Sequence, residues 1–219
     1  MKHRHLIAGA GTAALITSLV AGTGAAAAAP GAGSYSARAF VSQSCVAQVR
    51  SIAADKHVAA DVSLCSGTVT TSESAPQTAT VAEVKAYAAR AELSEAQTRS
   101  LTALAAAGAI KYRDWTHTYW GGSLIEKHRG RTYWDGSKAW ISSYRGYAGS
   151  HTCHSEGGIA IGWAVSPLSC TKPSAGSSAD AFYRFDASVA FRGSPVTLNI
   201  GLHYSTAASG ATSTRQVGG

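Results

Sequence analysis

The chain has 219 residues, with 19 Lys and Arg against 12 Asp and Glu, so its formal net charge is +7. A modest excess of this kind ordinarily serves solubility, although it also suits an anionic envelope polymer or an acidic partner surface. No phosphate-cradling loop, EF-hand pattern or dinucleotide fingerprint occurs, so we expect no cofactor and no nucleic-acid partner.

The first 28 residues have the pattern of a secretory signal peptide. Lys2 and Arg4 precede an apolar run from residue 6 to residue 20, and a small-residue cleavage site follows at residues 26–28. No later apolar stretch approaches the length of a membrane span. We therefore expect a secreted, extracellular protein without a membrane span.

Residues 29–79 are predicted to form a flexible arm and a linker. Residues 30–44 are small, polar and Gly-rich, a composition that buries too little apolar surface to order itself. The stretch from Cys45 to Cys65 has apolar residues at helical spacing for one or two turns. The polar residues that follow have the composition of a linker.

Four cysteines occur in a chain that we expect to be exported, where thiols are usually oxidised. Four cysteines allow three connectivities. Local pairing is the economical choice, because Cys45 and Cys65 lie in one compositional half of the chain and Cys153 and Cys170 lie in the other. In the chain-entropy account, each bond would be worth about 3 kcal/mol.

Residues 80–109 are predicted to form a helical hairpin. Thr80 with Glu83, and Ser94 with Gln97, stand in capping-box relation ahead of apolar residues at helical spacing. Gly108 is a plausible end for the second helix. The apolar faces are rich in alanine and therefore shallow, so we expect the hairpin to pack on the rest of the protein or on a partner.

After residue 110 the apolar residues recur every second position, as in half-buried antiparallel strands. We expect a β-domain over residues 110–205, with a hairpin turn at Asp135-Gly136. Ile161 is expected on the core side of its strand, and residues 206–219 are expected to be a disordered tail. The predicted strands are 111–120, 124–134, 138–145, 158–166, 183–191 and 196–204.

The fold class that these elements predict is mainly β. It is an antiparallel β-sandwich or small barrel, preceded by a small α-helical hairpin and a flexible arm.

A histidine-rich segment is the best candidate for a metal site. His151 and His154 flank Cys153 at a spacing that could ligate zinc or copper. However, a Cys153–Cys170 disulfide would remove the thiolate and leave too few ligands for a structural zinc, so we expect no metal. The histidines of the β-domain are expected to be surface imidazoles: His117, His128, His151, His154 and His203.

Catalytic signatures are absent from the sequence. There is no Gly-x-Ser-x-Gly elbow for a nucleophilic serine. The acids of the β-domain are scattered, and most have a basic neighbour, so solvated ion pairs are the expected arrangement rather than a glycosidase pair. We therefore expect a protein that is not an enzyme and has no catalytic residues.

A basic and aromatic segment is the best candidate for a binding surface. Arg, Tyr and Trp are the residues most often found at binding hot spots, and a Gly-flanked loop at residues 144–149 has this composition. An alternative is that the rings lie in the core and the charges lie outside. The candidate binding residues are Lys127, Arg129, Arg131, Trp134, Trp140, Tyr144, Arg145 and Tyr147.

Residues 110–205 also resemble a known family. The segments that carry the resemblance are WTHTYWG, E-x-H-x-G-x-x-Y-W-D-G-S-x-A-W, RGYAGSHTCH and GIAIGW followed by Cys170. They are similar to the adaptor subunit of secreted umbrella toxin particles. The resemblance implies a non-enzymatic adaptor that joins lectin subunits to a large toxin-bearing protein, and it leaves residues 30–109 without a counterpart.

Three functions fit the sequence. The first is an exported interaction module whose partners are other secreted protein subunits. The second is an extracellular protein that binds glycans or an envelope polymer through its aromatic residues. The third is a small secreted hydrolase or inhibitor. Exposed tryptophans would favour glycans, whereas buried rings would favour an adaptor.

Overall fold

The computed structural model describes residues 33–154 and 159–218. Within them the chain is mainly β, and its strands form two antiparallel sheets in a β-sandwich. The predicted fold class is confirmed, and the described strands do not close into the alternative barrel. The predicted signal peptide lies outside the described residues.

The first sheet contains eight strands. They are β1 (Ser34–Val41), β2 (Ser66–Glu73), β3 (Gln77–Thr78), β4 (Lys111–Gly121), β5 (Leu124–Trp134), β6 (Ala139–Trp140), β7 (Ser150–Cys153) and β8 (Ile159–Ala160). Its main path runs β1-β2-β4-β5-β6, while β3 pairs with β4, and β7 and β8 pair with β5. The short strands β6, β7 and β8 therefore pair with the edge of β5 that lies away from β4.

The second sheet contains four strands in the order β12-β11-β10-β9. They are β9 (Trp163–Thr171), β10 (Ser178–Phe191), β11 (Ser194–Ala207) and β12 (Thr212–Gly218). The two long strands β10 and β11 form a continuous hairpin and supply most of the apolar residues that face the first sheet.

The main core lies between the sheets. Successive side chains of a strand point to opposite faces, so one face of each sheet supplies the core. Tyr119 of β4 packs edge-on against Phe185 of β10, with ring centroids 5.9 Å apart. Trp115 stacks on Tyr204 of β11 at 4.1 Å. Facing aliphatic residues fill the space around them, among them Leu124, Leu198, Ile200 and Leu202.

The expectation of a flexible arm at residues 30–44 is wrong for residues 33–44, the part that the structure describes. β1 forms eight consecutive backbone pairs with β2. Of its eight residues, all except Phe40 are exposed. Composition therefore missed the strand, because backbone pairing rather than apolar burial orders it.

The segment between the first two cysteines is also more ordered than expected. It contains α1 (Gln43–Asp55), a 13-residue helix whose N-cap is Ser42. Val46 and Val49 of α1 lie in the same core as Phe185 and Leu198. The predicted linker contributes β2, which pairs with β4. Residues 33–79 and the predicted β-domain therefore share a sheet and a core, so the expected boundary at residue 110 does not separate two cores.

The predicted helical hairpin is confirmed. It consists of α2 (Val81–Arg90) and α3 (Glu95–Ala106), and both predicted capping boxes form. Gly108 follows α3 with a φ of +64°, a conformation that glycine accepts without strain. The hairpin packs on a second core cluster with Tyr133, Trp140 and Tyr147. The helices contribute Val84 and Ala105 to this cluster, and Val81, Leu101 and Leu104 pack against it.

Three other predicted elements differ from the structure. The strand expected at 138–145 is reduced to β6, because the chain turns away after Trp140. The strand expected at 158–166 is interrupted at Gly162, whose φ is +78°, and Ile161 is 74% exposed rather than core-facing. Half of the tail expected to be disordered, residues 212–218, forms β12, which is held by backbone pairing with β11.

Both predicted disulfides form, Cys45–Cys65 and Cys153–Cys170. The first attaches α1 to the end of a 3-10 turn at Ser63–Cys65, with both cysteines fully buried. The second joins β7 of the first sheet to β9 of the second.

Among the described helices, none is long and apolar enough to cross a membrane.

One side chain of α1 completes the edge of the second sheet. The Gln48 amide donates to the Thr197 carbonyl at 3.0 Å, and its oxygen accepts from the Thr197 backbone N–H at 3.1 Å. This part of β11 lies beyond the reach of β12, which pairs only with residues 200–206. Gln48 therefore occupies the place of a missing strand.

We expect Gln48→Ala to lower the free energy of unfolding by about 1–3 kcal/mol, because two backbone groups of Thr197 lose their partner. Urea denaturation monitored by tryptophan fluorescence would measure the change. Arg50→Ala, an exposed substitution on the same helix, is the control and should cost less than about 0.5 kcal/mol. Equal losses in the two variants would contradict this role of Gln48.

Candidate functional site

The aromatic residues predicted to form a binding surface are mostly buried. Trp134 is 5% exposed, Trp140 is 0% exposed and Tyr147 is 3% exposed. The indole N–H of Trp140 donates to the Tyr147 carbonyl at 3.1 Å. Tyr144 is half-buried, and its ring lies edge-on to Trp140 at 5.0 Å. This prediction is wrong for the three buried rings, because the helical hairpin and the second sheet cover them.

Two of the predicted binding arginines are held by acids. Arg131 donates to both carboxylate oxygens of Asp114, at 2.7 and 2.9 Å, and its guanidinium lies 4.1 Å from the ring centre of Tyr112. The hydrogen bonds to Asp114 raise the pKa of Arg131. Arg145 donates to Asp135 at 2.6 Å. Both arginines are therefore fixed in place.

Lys127 and Arg129 lie on the outer face of the first sheet, which we call the threonine face. Its rows are rich in hydroxyl side chains, from Thr68 and Thr70 on β2 and from Thr116 and Thr118 on β4. Two exposed aromatic residues share this face, Tyr35 (71% exposed) and Trp120 (46% exposed). A shallow polar pocket of about 640 Å³ lies beside Arg129 on it.

The β1 edge is the outer backbone edge of the first sheet. Ser42 donates its N–H to the Cys65 carbonyl at 2.8 Å, which makes this a hydrogen-bonded pair. Hydrogen-bonded and non-bonded pairs alternate along an antiparallel ladder. By this alternation, Tyr35, Ala37, Ala39 and Val41 direct their N–H and C=O groups away from β2. No described strand accepts them.

A narrow cleft separates β1 from β12, the edge strand of the facing sheet. Its volume is about 40 Å³. Arg38 of β1 and Arg215 of β12 line its mouth, and His117 lies at its floor. The edge and the interior of the sandwich therefore meet at this cleft.

Three histidines form a hydrogen-bonded chain inside the sandwich. His151 Nδ1 lies 2.7 Å from the Thr171 carbonyl, His128 Nδ1 lies 2.9 Å from His151 Nε2, and His128 Nε2 lies 3.2 Å from His117 Nδ1. A carbonyl only accepts, so His151 Nδ1 carries a proton. For neutral rings this fixes the rest: His128 donates from Nδ1, and His117 donates from Nδ1.

The expectation of surface imidazoles is therefore wrong for these three residues. His128 is 0% exposed, His117 is 1% exposed and His151 is 7% exposed. Burial, with repulsion from His203, lowers the pKa of His117 to about 4. Burial, with repulsion from its histidine neighbours, holds the pKa of His128 well below its ordinary value. Burial also lowers the pKa of His151.

A second polar group lies next to the chain. Glu126 of β5 is 1% exposed and accepts a hydrogen bond from the Tyr183 hydroxyl at 2.8 Å. Burial and this hydrogen bond raise the pKa of Tyr183. His154, which is 54% exposed, reaches the same carboxylate from the surface at 2.9 Å. A buried carboxylate is costly unless it is paired, and these two partners meet that requirement.

The sequence offered His151 and His154 as metal ligands beside Cys153, and the structure places only His151 there. His151 Nε2 lies 3.4 Å from Cys153 Sγ, but His154 faces Glu126 instead. The donor atoms that lie within 4.8 Å of one another belong to His128, His151 and Cys153. His128 was missed as a potential ligand because it lies 25 residues before Cys153 in the sequence.

The register of the β4–β5 hairpin contained the missing signal. The predicted strands 111–120 and 124–134 leave room for a tight turn, which places Gly121 opposite Leu124. The same register places His117 opposite His128. Since Trp115 and Tyr119 alternate with His117 on the core face, the sequence pattern could have located both histidines there.

We expect the stability of the protein to fall as the pH drops from about 6.5 to about 4. The unfolded histidines bind protons below pH 6.5, whereas folded His117 stays neutral until about pH 4. The lowered pKa of His117 alone should reduce the free energy of unfolding by about 3 kcal/mol over this pH range. Urea denaturation at several pH values would measure the loss, and His117→Gln should give a shallower slope. A flat profile for the wild type would contradict the buried neutral chain.

The chain matches no family model, no curated protein and no solved structure in comparisons with each. The resemblance to umbrella toxin adaptors therefore depends on the sequence segments alone.

Proposed function

We propose that the protein is a secreted, non-enzymatic interaction module that receives an extended segment of another secreted protein on its β1 edge. The observation that carries the proposal is the form of this edge. It is an eight-residue strand in continuous register with β2, with outward backbone groups that no described strand accepts.

Natural edge strands are usually protected against pairing with other chains. The outer strand β9 carries Pro167 and a register shift opposite Arg184 and Phe185, both of which interrupt pairing. β1 has neither a proline nor a register shift. An edge as long and regular as β1 is the structure to which an extended peptide adds as a further strand.

The side chains beside the β1 edge can select a partner. Tyr35 and Val41 are 71% and 50% exposed on the threonine face at the two ends of the strand. Arg38 lies on the opposite face, at the cleft. Backbone hydrogen bonds would supply affinity, while these side chains favour a partner strand with apolar residues at its ends and an acid opposite Arg38.

An adaptor needs a second surface, and the β4–β5 part of the threonine face meets this need. Arg129 lies beside the polar pocket there, and Lys127 lies two residues away on the same face, separated from β1 by β2 and β4. The burial of Trp134, Trp140 and Tyr147 also favours an adaptor over a glycan-binding protein that uses these rings. The resemblance to toxin-particle adaptors is consistent with such a two-sided module.

We expect Ala37→Pro to abolish capture of the partner. Proline removes an outward N–H that a docked strand would need, but by the ladder alternation it breaks no bond to β2. Capture by the tagged protein from the producer's own culture medium, followed by quantitative mass spectrometry, would show at least a tenfold loss.

Thr214→Pro is the matched control. By the same alternation, counted from the bond between the Ala207 N–H and the Ala211 carbonyl, Thr214 directs its N–H away from β11. This variant should retain capture. In the wild-type complex, the partner should slow hydrogen exchange at Ala37 and Ala39. Equal capture by both proline variants, or unchanged exchange at β1, would refute docking at this edge.

Carbohydrate binding is the second candidate, because Tyr35 and Trp120 are exposed on one polar face. The Trp120 indole N–H donates to the Thr70 hydroxyl at 2.9 Å, which holds the ring against the sheet. A glycan on this face would lose binding in Trp120→Ala but not in Ala37→Pro. An oligosaccharide array probed with both variants separates the two functions.

A further inference from the structure

The two disulfides differ in their accessibility. Cys45 and Cys65 are both 0% exposed. Cys153 is half-buried and Cys170 is exposed. A reductant in solution can therefore reach the Cys153–Cys170 bond while the folded core still shields the other one. The accessible disulfide is also the one that lies beside the histidine chain.

The groups next to this disulfide are metal ligands by type and position. Cys153 Sγ lies 3.4 Å from His151 Nε2, which lies 2.9 Å from His128 Nδ1. In a tetrahedral zinc site, two imidazole nitrogens lie about 3.3 Å apart. The nitrogens therefore need to separate by a few tenths of an ångström, and the rings need to turn so that both lone pairs meet at the ion. Cys170 Sγ is not one of the clustered donor atoms, because it lies 3.9 Å from His151 Nδ1, the nitrogen on the other side of the ring from Cys153.

The surroundings already orient His151 as a ligand. Zinc-bound histidines almost always donate their other ring N–H to a carbonyl or a carboxylate. His151 Nδ1 lies 2.7 Å from the Thr171 carbonyl, which fixes the lone pair on Nε2, toward Cys153 and His128. His128 has His117 on its other nitrogen, at 3.2 Å.

We propose that reduction of Cys153–Cys170 opens a Zn²⁺ site formed by His128 Nδ1, His151 Nε2 and Cys153 Sγ, with a water molecule as the fourth ligand. The disulfide form lacks thiolates and holds the same groups together by hydrogen bonds. An oxidised Cys153 cannot ligate zinc, so this site belongs to the reduced protein. It is independent of docking at the β1 edge.

The chemistry balances with an external dithiol as reductant. The dithiol breaks the Cys153–Cys170 bond, becomes a cyclic disulfide and leaves two protein thiols. Zn²⁺ then displaces the proton of the Cys153 thiol. His128 releases its Nδ1 proton and takes one at Nε2 from His117 Nδ1, and His117 gains one at Nε2 from the cleft. The histidines therefore show no net change, and one proton is released per zinc.

Two single substitutions test the site without any reductant. Cys170→Ser and Cys153→Ser each remove the same disulfide and leave one free thiol. Only Cys170→Ser keeps all three clustered ligands. In competition with a chromophoric chelator, we expect this variant to bind one Zn²⁺ at least tenfold more tightly than Cys153→Ser. Substituted Co²⁺ should show a thiolate charge-transfer band in Cys170→Ser.

Two histidine substitutions in the Cys170→Ser background identify the nitrogen ligands. His128→Asn should lose at least tenfold in zinc affinity, whereas His154→Ala should retain it, because His154 faces Glu126 instead. Near-ultraviolet circular dichroism would confirm that each variant is folded before titration. Since a folding defect in one variant would confuse this comparison, wild-type protein provides a second measurement.

Wild-type protein should bind Zn²⁺ only after treatment with a phosphine reductant, with one proton released per ion as measured in weakly buffered solution. Peptide mapping should show Cys45–Cys65 still oxidised. Any of three results would overturn the proposal. They are equal zinc affinity of Cys170→Ser and Cys153→Ser, tight zinc binding by the oxidised wild type, and no zinc binding by the reduced wild type.

Discussion

The register between β4 and β5 is the constraint on which the rest of the structure depends. It places Trp115, His117 and Tyr119 on the core face of one strand, and Leu124, Glu126 and His128 on the core face of the next. A slip of one residue would turn each set toward solvent. The tight turn after Gly121 fixes this register, and both the apolar core and the histidine chain follow from it.

A β-sandwich rarely places so many polar groups between its sheets, because each costs free energy unless it is hydrogen-bonded. Here the cost is offset because each histidine is hydrogen-bonded to the next group in the chain of three. The Thr171 carbonyl orients His151, which orients His128, which orients His117. Hydrogen-bonded polar networks of this kind favour one arrangement of the core. The network also leaves lone pairs near a disulfide that solvent can reach.

The two proposals use opposite properties of the same sandwich. Docking at the β1 edge uses backbone groups that the fold leaves without a described partner. The zinc site uses side chains that the fold has already brought together and buried. The cleft at Arg38 and Arg215 connects them, because its floor is His117, the end of the chain. The edge and the interior therefore lie within one region of the protein.

The sequence determined the features that depend on local patterns. The capping boxes at Thr80 and Ser94 predicted both helices of the hairpin, and the alternation after residue 110 predicted β4 and β5 almost to the residue. The spacing of the cysteines predicted both disulfides. Each of these signals is contained within a few neighbouring turns or within one short loop.

Only the tertiary structure decided where the polar strands and the aromatic rings lie. β1 and β12 have compositions that do not favour order, and they form because a longer strand presents its backbone to them. Trp140 and Tyr147 have the composition of a recognition loop, yet they are buried because the helical hairpin covers them. Pairing and covering depend on residues distant in sequence, which local patterns do not contain.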